Sequence, residues 1–184
     1  FADAVNAEMR ALHAAGADIV QLDEPYLEAR PEAAREYAGA AISRALDGAT
    51  GATALHLCFG YGPIDRGFRK PAHYSLLPVL ERTPVDIVSI EAAQPGLDAG
   101  ELRELPSKCI MLGVLDLGTT RIDEPGVVLQ RIRKAIDVVG TQRLMLAPDC
   151  GMKYLPAEVA AAKIKVLVSA ARAARLWTRG TEQV

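Results

Sequence analysis

The sequence is short of cysteine, of long apolar runs and of excess charge. Its 184 residues contain three cysteines, an odd number without framework spacing, which predicts reduced thiols rather than disulfides. A net charge of −2 without a dense lysine and arginine run argues against binding to nucleic acid or anionic membranes. No apolar stretch is as long as a membrane span, and Phe1 opens an amphipathic segment rather than a signal peptide. These absences predict a cytoplasmic protein without a nucleic-acid or membrane partner.

What the sequence contains is an alternation of two hydrophobic patterns. Hydrophobic residues make up 50% of the chain, enough for the core of one domain, and there is no internal repeat or linker. Short apolar runs predict five buried strands, at 17–25, 53–60, 85–93, 109–117 and 143–151. Helical patterns flank them at 3–14, 33–46, 76–82, 98–104, 124–139 and 156–176.

This strict alternation of strand and helix predicts an α/β fold. Strands that alternate with helices run parallel and are joined by right-handed crossovers. No glycine-rich phosphate motif follows the first strand, where the sequence reads DEPYLE, so a dinucleotide-binding sheet is the weaker interpretation. A (βα)8 barrel of the TIM type needs eight strands. If the fold is a barrel, residues 1–177 are its C-terminal part and 178–184 form a polar tail, with the first three strands absent from this sequence.

Polar and ionisable residues gather at the carboxyl ends of these strands, where parallel architectures keep their active sites. They are Asp23, Glu24, His56, Cys58, Glu91, Asp116, Asp149 and Cys150. In a strand, residues i and i+2 share a face, so His56 and Cys58 project side by side. Zinc prefers nitrogen and sulfur ligands, and a catalytic zinc keeps one position exchangeable.

Two more residues complete a candidate zinc site. Cys150 ends the last strand on the same rim, and Glu91 ends its own strand as a replaceable fourth ligand. Cys109 begins its strand at the opposite end, so we interpret it as a core thiol. An H-x-C pair alone is a weak signal, because buried cysteines are more often inert. A second cysteine and a glutamate at strand ends of the same polarity make the metal site the better interpretation.

The chain also resembles the C-terminal catalytic barrel of the cobalamin-independent methionine synthases. The similar segments follow the order of that family: QLDEP at 21–25, HLC at 56–58, SIEAA at 89–93, GVLDL at 113–117 and PDCGMK at 148–153. The resemblance implies a (βα)8 barrel of which this chain represents roughly strands four to eight. It also implies a zinc enzyme with His56, Cys58, Glu91 and Cys150 as metal ligands.

The implied activity is that of 5-methyltetrahydropteroyltriglutamate–homocysteine S-methyltransferases, which serve methionine synthesis. Such an enzyme activates a thiol, homocysteine or a similar compound, as a zinc thiolate for methyl transfer from methyltetrahydrofolate or another donor. Asp23 then holds the amino group of the substrate. Asp116 matches the family as a second catalytic candidate, although a carboxylate that caps a turn is an equal interpretation. Glu24 and Glu91 complete the residues expected to meet the substrate.

The sequence departs from the family at two positions. Gly118 stands where the synthases have the histidine linked to proton transfer, which leaves the acid unassigned, with His73 and Tyr74 as candidates. Gln94 replaces the usual continuation after SIEAA. These changes keep open another zinc-thiol alkyltransferase or demethylase of the same superfamily. A non-catalytic partial barrel with structural zinc is a further alternative.

Two expectations concern regions around the predicted site. Five strands leave two exposed parallel edges, so we expect a missing N-terminal half-barrel or a homo-oligomer to cover them. The glycine- and proline-rich segment 60–75 follows the H-x-C strand and overhangs the site. Its basic residues Arg66, Arg69 and Lys70 are candidates for contact with an anionic substrate tail, although solvent exposure explains their charges more simply.

Overall fold

A computed structural model describes residues 1–60, 66–67 and 69–181, and the side chains of 179–181 are not described. Its strands are β1 (Ile19–Glu24), β2 (Ala52–Leu57), β3 (Ile87–Ile90), β4 (Cys109–Gly113) and β5 (Leu144–Ala147). Its α-helices are α1 (Ala2–Ala14), α2 (Pro31–Ala45), α3 (Leu77–Glu81), α4 (Pro125–Val139) and α5 (Ala157–Thr181). A 3₁₀-helix at Ala99–Glu104 joins β3 to β4. The predicted alternation of strands and helices is confirmed.

The five strands form one parallel sheet in which their order in space is their order along the chain. An open doubly wound sheet reverses its direction at a switch point, whereas a barrel adds each strand on the same side of the previous one. Successive helices contact one another along one face of the sheet: α1 meets α2, α2 meets α3, and α4 meets both the 3₁₀-helix and α5. The arrangement is that of consecutive strands of a (βα)8 barrel, as predicted.

The two faces of the sheet have different compositions. Residues that are paired in register point to the same side of a parallel sheet. The side covered by helices carries the row Leu22, Leu55, Val88, Ile110 and Leu144, which belongs to the main hydrophobic core or packs against it. The opposite side, which is the inside of a closed barrel, carries the row Asp23, His56, Ser89, Met111 and Met145. Polar residues are therefore concentrated on the inner side.

Most predicted helix boundaries agree with the structure, and the differences have local causes. Helices α2 and α4 begin at Pro31 and Pro125, where the fixed proline φ suits the first turn and the missing N–H costs no bond. The predicted helix at 98–104 is a 3₁₀-helix, which is common for such short segments. Helix α5 continues to Thr181, so part of the expected polar tail is helical, and 182–184 lie outside the described residues.

Among the helices of residues 1–60, 66–67 and 69–181, none combines the length and the apolar character that crossing a membrane requires.

Candidate metal centre

Four side chains from three strand ends converge on the inner side of the sheet. His56 lies in β2, Cys58 follows β2, Glu91 follows β3, and Cys150 lies in the loop after β5. One ligand atom from each of these residues lies within 4.8 Å of the others. His56, Cys58 and Glu91 are buried, and Cys150 is partly exposed. The structure therefore brings together all four residues that the sequence predicted as metal ligands.

Cys109 begins its strand as predicted, but it is not a core thiol, because it is only partly buried and lies outside the hydrophobic core. It is the first residue of β4, at the opposite end of the sheet from the four clustered side chains, and it is partly exposed. None of the three cysteines, all of which lie in the described part of the chain, forms a disulfide. Cys109 therefore provides a comparison for the two cysteines of the cluster.

His56 is oriented by a residue that the sequence analysis did not identify. Its Nδ1 lies 2.9 Å from the Ser89 hydroxyl oxygen on the neighbouring strand. Ser89 pairs with His56 in register, so its side chain is on the same face of the sheet. This neighbour could have been identified by aligning the strand that contains H-x-C with the strand that contains SIEAA. The second ring nitrogen, Nε2, is buried and has no nitrogen or oxygen partner among the described residues. It is the nitrogen available to a metal.

The electrostatics of His56 reflect the negative groups around it. Burial, the largest single effect, lowers the pKa of the imidazole. The Cys150 sulfur and the carboxylates of Glu91 and Asp23 act in the other direction, and the net pKa is raised. The groups around this ring therefore stabilise a positive charge at this position, either on the imidazole or on a bound cation.

The two thiols of the cluster affect each other. A hydrogen bond with Cys150 is the largest cause of a raised pKa at Cys58, and burial adds to it. The backbone N–H of Gly60 donates to the Cys58 sulfur at 3.3 Å, which partly offsets this effect. A thiol with a raised pKa holds its proton at neutral pH, and a metal ion must displace that proton to bind.

Glu91 is fully buried and has only one of its two oxygens paired. Its Oε1 accepts a hydrogen bond from the Lys70 ammonium at 2.6 Å, while Oε2 is buried without a partner among the described residues. Burial raises the pKa of Glu91 to about 7, although Lys70 lowers it. Lys70 is itself buried, in contrast to Arg66 and Arg69, which are exposed as expected. Nothing in the sequence pattern pointed to this ion pair.

Tyr74 holds the backbone at the ends of β2 and β3. Its hydroxyl accepts the N–H of Glu91 at 2.9 Å and lies 3.1 Å from the Glu91 carbonyl and 3.4 Å from that of Leu57. Burial is the largest cause of its strongly raised pKa, so it is a poor proton donor. His73 is exposed and pairs with Glu101. A role of His73 or Tyr74 as the acid stays a prediction.

Asp149 connects the Cys150 loop to the end of β3. Its carboxylate accepts the backbone N–H groups of Ala92, Ala93 and Gln94 at 3.1, 2.9 and 2.6 Å. The side chain is almost completely buried, and this burial raises its pKa to about 6 against the lowering effect of the three hydrogen bonds. Asp149 therefore caps the backbone N–H groups after β3, and it fixes Cys150 relative to Glu91.

The residues that depart from the family pattern lie beside each other. A side chain at Gly118 would collide with the amide end of Gln94 and would also approach an oxygen of Asp116. The Asp116 carboxylate accepts the N–H of Gly118 at 2.8 Å, which is the turn-capping role that the sequence left open. The catalytic role of Asp116 stays a prediction. The Gln94 amide occupies the space that a side chain at 118 would take.

Asp23 and Glu24 lie on opposite faces of β1. Asp23 pairs with His56 in register, is exposed, and accepts a hydrogen bond from Gln21 at 2.8 Å. Glu24 pairs with the buried Leu57, and its carboxylate accepts the N–H of Tyr26 at 3.0 Å. The geometry places Asp23 beside the cluster and gives Glu24 a role in the local turn. A substrate contact by Glu24 stays a prediction.

The donor set of this cluster fits zinc. It consists of one imidazole, two thiols and one carboxylate, the ligand types that Zn²⁺ binds in four-coordinate sites. His56 Nε2 and Glu91 Oε2 are buried polar atoms that have no nitrogen or oxygen partner among the described residues, which is costly unless another group binds them. The other atom of each ligand is held by a hydrogen bond, as in many metal sites: His56 Nδ1–H, with Nε2 left for the metal, donates to the Ser89 hydroxyl oxygen, and the Lys70 ammonium donates to Glu91 Oε1.

The amino-acid sequence is similar to one family of known proteins. The family model described as cobalamin-independent synthase, catalytic domain, matches residues 1–173. A methionine synthase from Methanothermobacter thermautotrophicus is 31% identical over 173 residues, covering 93% of this chain and 52% of that protein. A methionine synthase from Sulfurisphaera tokodaii is 27% identical over 176 residues, covering 95% of this chain and 48% of that protein.

A solved structure is also similar. It is a B12-independent methionine synthase from a Shewanella species in complex with selenomethionine, with a TM-score of 0.90 and 29% sequence identity. The match covers 98% of this chain and 55% of that chain. The chain therefore spans about half the length of the relatives that it matches.

Proposed function

The chain belongs to the cobalamin-independent synthase family, within the catalytic domain, and from this premise we propose that it is the zinc-binding part of a methyltransferase that methylates homocysteine. The observation that carries the proposal is the cluster of His56, Cys58, Glu91 and Cys150. A structural zinc has four closed ligands, whereas a catalytic zinc keeps one position exchangeable. The carboxylate of Glu91 is the most easily displaced donor beside two sulfurs, so this set favours exchange with a substrate thiol.

Each residue of the cluster has a separate role in this proposal. Zinc, when bound, supplies a Lewis acid that keeps a substrate thiol deprotonated and nucleophilic at neutral pH. Cys58 and Cys150 as thiolates, with a neutral His56, balance the formal charge of the ion and leave a substrate sulfur reactive. Ser89 orients the imidazole through its 2.9 Å contact. Glu91 supplies the position that the substrate takes.

Asp23 is the proposed partner of the substrate ammonium group. Its carboxylate lies on the inner face of the sheet, one strand away from His56 and in register with it. Gln21 donates to one of its oxygens and so fixes its direction. The Shewanella protein was solved with selenomethionine, an amino acid with an ammonium group, which is consistent with an amino-acid site in this fold.

The methyl donor is methyltetrahydrofolate or another carrier of an activated methyl group. A departing folate nitrogen must receive a proton, and a general acid has to lie within hydrogen-bond reach of it. Beside Gly118 the space is filled by the Gln94 amide, which cannot serve as a general acid. This observation favours, as a second candidate, another zinc-thiol alkyltransferase or demethylase whose leaving group needs no proton from this position.

The barrel needs a further partner to close. On the inner face Ile19 is 44% exposed and Met145 is 38% exposed. In the part of the chain that the structure describes, β1 and β5 are each paired on one side only. A closed barrel leaves no edge unpaired, so we propose that an N-terminal half-barrel or a second copy completes it. Light scattering distinguishes the two, because only the second copy doubles the mass of the particle.

The test of the proposed function combines metal content with ligand exchange. The protein is purified without chelator, its zinc content is measured, and zinc X-ray absorption is recorded before and after addition of homocysteine. We expect stoichiometric zinc that gains a sulfur ligand and loses an oxygen ligand. Formation of methionine from methyltetrahydrofolate is then measured with an isotopically labelled methyl group.

Three results would change the conclusion in different ways. Thiol uptake without methyl transfer from folate, but with transfer from another donor, would establish the second candidate. A zinc whose ligands ignore every thiol offered would show a structural site. Absence of zinc binding would refute the proposed function.

A further inference from the structure

The buried ion pair between Lys70 and Glu91 lies inside the candidate metal centre. Lys70 lies between β2 and α3, and its side chain is 4% exposed, while that of Glu91 is 0% exposed. The 2.6 Å distance between Nζ and Oε1 is that of a short charge-assisted hydrogen bond. Removing a lysine from water is costly unless its charge is paired. The surrounding protein therefore has to keep these two groups together.

The pair differs from an ordinary structural ion pair because Glu91 is also a member of the ligand cluster. Oε1 is bound to Lys70, whereas Oε2 has no partner in the described part of the chain. One of the carboxylate oxygens lies within 4.8 Å of the ligand atoms of His56, Cys58 and Cys150. The same carboxylate can therefore be held from one side while its other oxygen is free to bind a metal or release it.

Charge balance explains why this matters for ligand exchange. With Zn²⁺, two thiolates and a neutral imidazole, the core of the site is formally neutral, and Glu91 brings one negative charge. A substrate thiol that took the place of Glu91 at a bound zinc would release its proton to solvent and bind as the thiolate, and the displaced carboxylate would remain where its side chain is 0% exposed. A buried carboxylate without a partner would be strongly unfavourable. Lys70 already occupies the position that prevents this.

We propose that Lys70 is a positioning residue that retains the Glu91 carboxylate after a substrate thiol displaces it from zinc. The inference rests on the proposed function and assigns a residue that neither the strand-end pattern nor the segments shared with the family indicate. Lys70 acts through Glu91 and touches no reacting atom. It favours the thiol-bound state over the Glu91-bound state.

The test compares two lysine-to-methionine variants in the full chain. Lys70→Met removes the ammonium and keeps a long side chain. Lys108→Met is the matched control, because Lys108 is also buried and its Nζ donates to the Thr83 carbonyl at 2.7 Å. Lys108 directly precedes β4, at the end of the sheet opposite to the cluster. Zinc content, zinc X-ray absorption and the homocysteine dissociation constant, from calorimetry, are measured for each.

We expect Lys70→Met to retain zinc with an oxygen ligand and to bind homocysteine at least about tenfold more weakly, the size of effect seen when partners of metal ligands are removed. Lys108→Met should bind homocysteine like the parent. Equal homocysteine binding in Lys70→Met and the parent would overturn the assignment, as would an equal loss in both variants. A parent whose zinc takes up no thiol would instead overturn the proposed function, and the assignment with it.

A double-mutant cycle tests whether Lys70 acts through Glu91. In Glu91→Gln the displaced side chain is neutral, so adding Lys70→Met to it should not weaken homocysteine binding further. This comparison also covers the case in which Lys70→Met alone does not fold, because the double variant has no unpaired buried charge. A further loss in the double variant would show that Lys70 acts independently of Glu91 and would overturn the proposal.

Discussion

Gly113→Ala is expected to disrupt the candidate metal centre without changing any ligand. Gly113 ends β4, the strand between those that carry Glu91 and Cys150. A Cβ atom at this position would lie 2.6 Å from the Asp149 Cα and 3.0 Å from the Ile90 carbonyl oxygen, and it would also collide with the Asp149 carboxylate. The glycine therefore allows the loop after β5 to pass over β4 and reach the end of β3.

The size of the effect follows from these distances. Ordinary contact between a Cβ and a heavy atom begins at 3.4 Å, so the backbone at Asp149 has to move by about 0.8 Å (3.4 minus 2.6). Metal-ligand distances tolerate only about ±0.2 Å. Cys150, the next residue, would be displaced beyond that range. We expect zinc affinity to fall roughly 10- to 100-fold, with a loss of about 1–3 kcal/mol in the free energy of unfolding from overpacking.

The assay is a zinc competition titration with a chromogenic chelator, together with denaturant unfolding in the presence of EDTA. Gly126→Ala is the matched control, because a Cβ there meets nothing within 4 Å. This control should bind zinc like the parent and be slightly more stable, since alanine is the better helix former. Unchanged zinc affinity in Gly113→Ala, or an equal loss in Gly126→Ala, would refute the argument.

Three further predictions concern the ligands, the fold and pH. Cys150→Ser should weaken zinc binding roughly 100-fold or more, because four ligands together supply about 10–16 kcal/mol in zinc peptides and the variant loses one of them. Cys109→Ser should leave the zinc affinity unchanged, and chelator competition measures the zinc affinity of both variants. Lys163→Met should cost about 3–5 kcal/mol in denaturant unfolding, because it removes a fully buried ammonium from the Asp123 carboxylate and from the carbonyls of Asp116 and Arg121. Zinc affinity should fall at least about tenfold per pH unit as pH decreases below neutrality, because the raised pKa of Cys58 means that binding displaces its proton; calorimetry in two buffers counts the protons released.

The strands were predictable because each is an apolar run that is buried on its helix side. Rows such as Leu55, Val88 and Ile110 make this pattern visible without any knowledge of the partners. The alternation with helices then determined the parallel order, and polar residues at the strand ends identified the inner rim. The end of α5 was less predictable, because its last residues are polar and carry no apolar stripe.

The metal ligands were predictable from the sequence, but the groups that hold them were only partly so. Ser89 and His56 are in register on neighbouring strands, a relationship that follows from the sheet once the strands are aligned. Lys70 lies in the glycine- and proline-rich sequence 60–75, which has no periodic pattern, so only the three-dimensional structure shows where its ammonium lies. The role of Asp149 depends on three backbone N–H groups more than 50 residues away in sequence.

The metal centre and the fold should therefore depend on each other. Zinc would join the ends of β2, β3 and β5, and it would pair the buried His56 Nε2 and Glu91 Oε2. A ligand that binds only the folded state stabilises it by about 4 kcal/mol at a thousand times its dissociation constant. Zinc should thus raise the unfolding midpoint of the parent and of Lys163→Met by similar amounts, because Lys163 lies outside the cluster. The same zinc concentration should stabilise Gly113→Ala much less, since its defect is in the site itself.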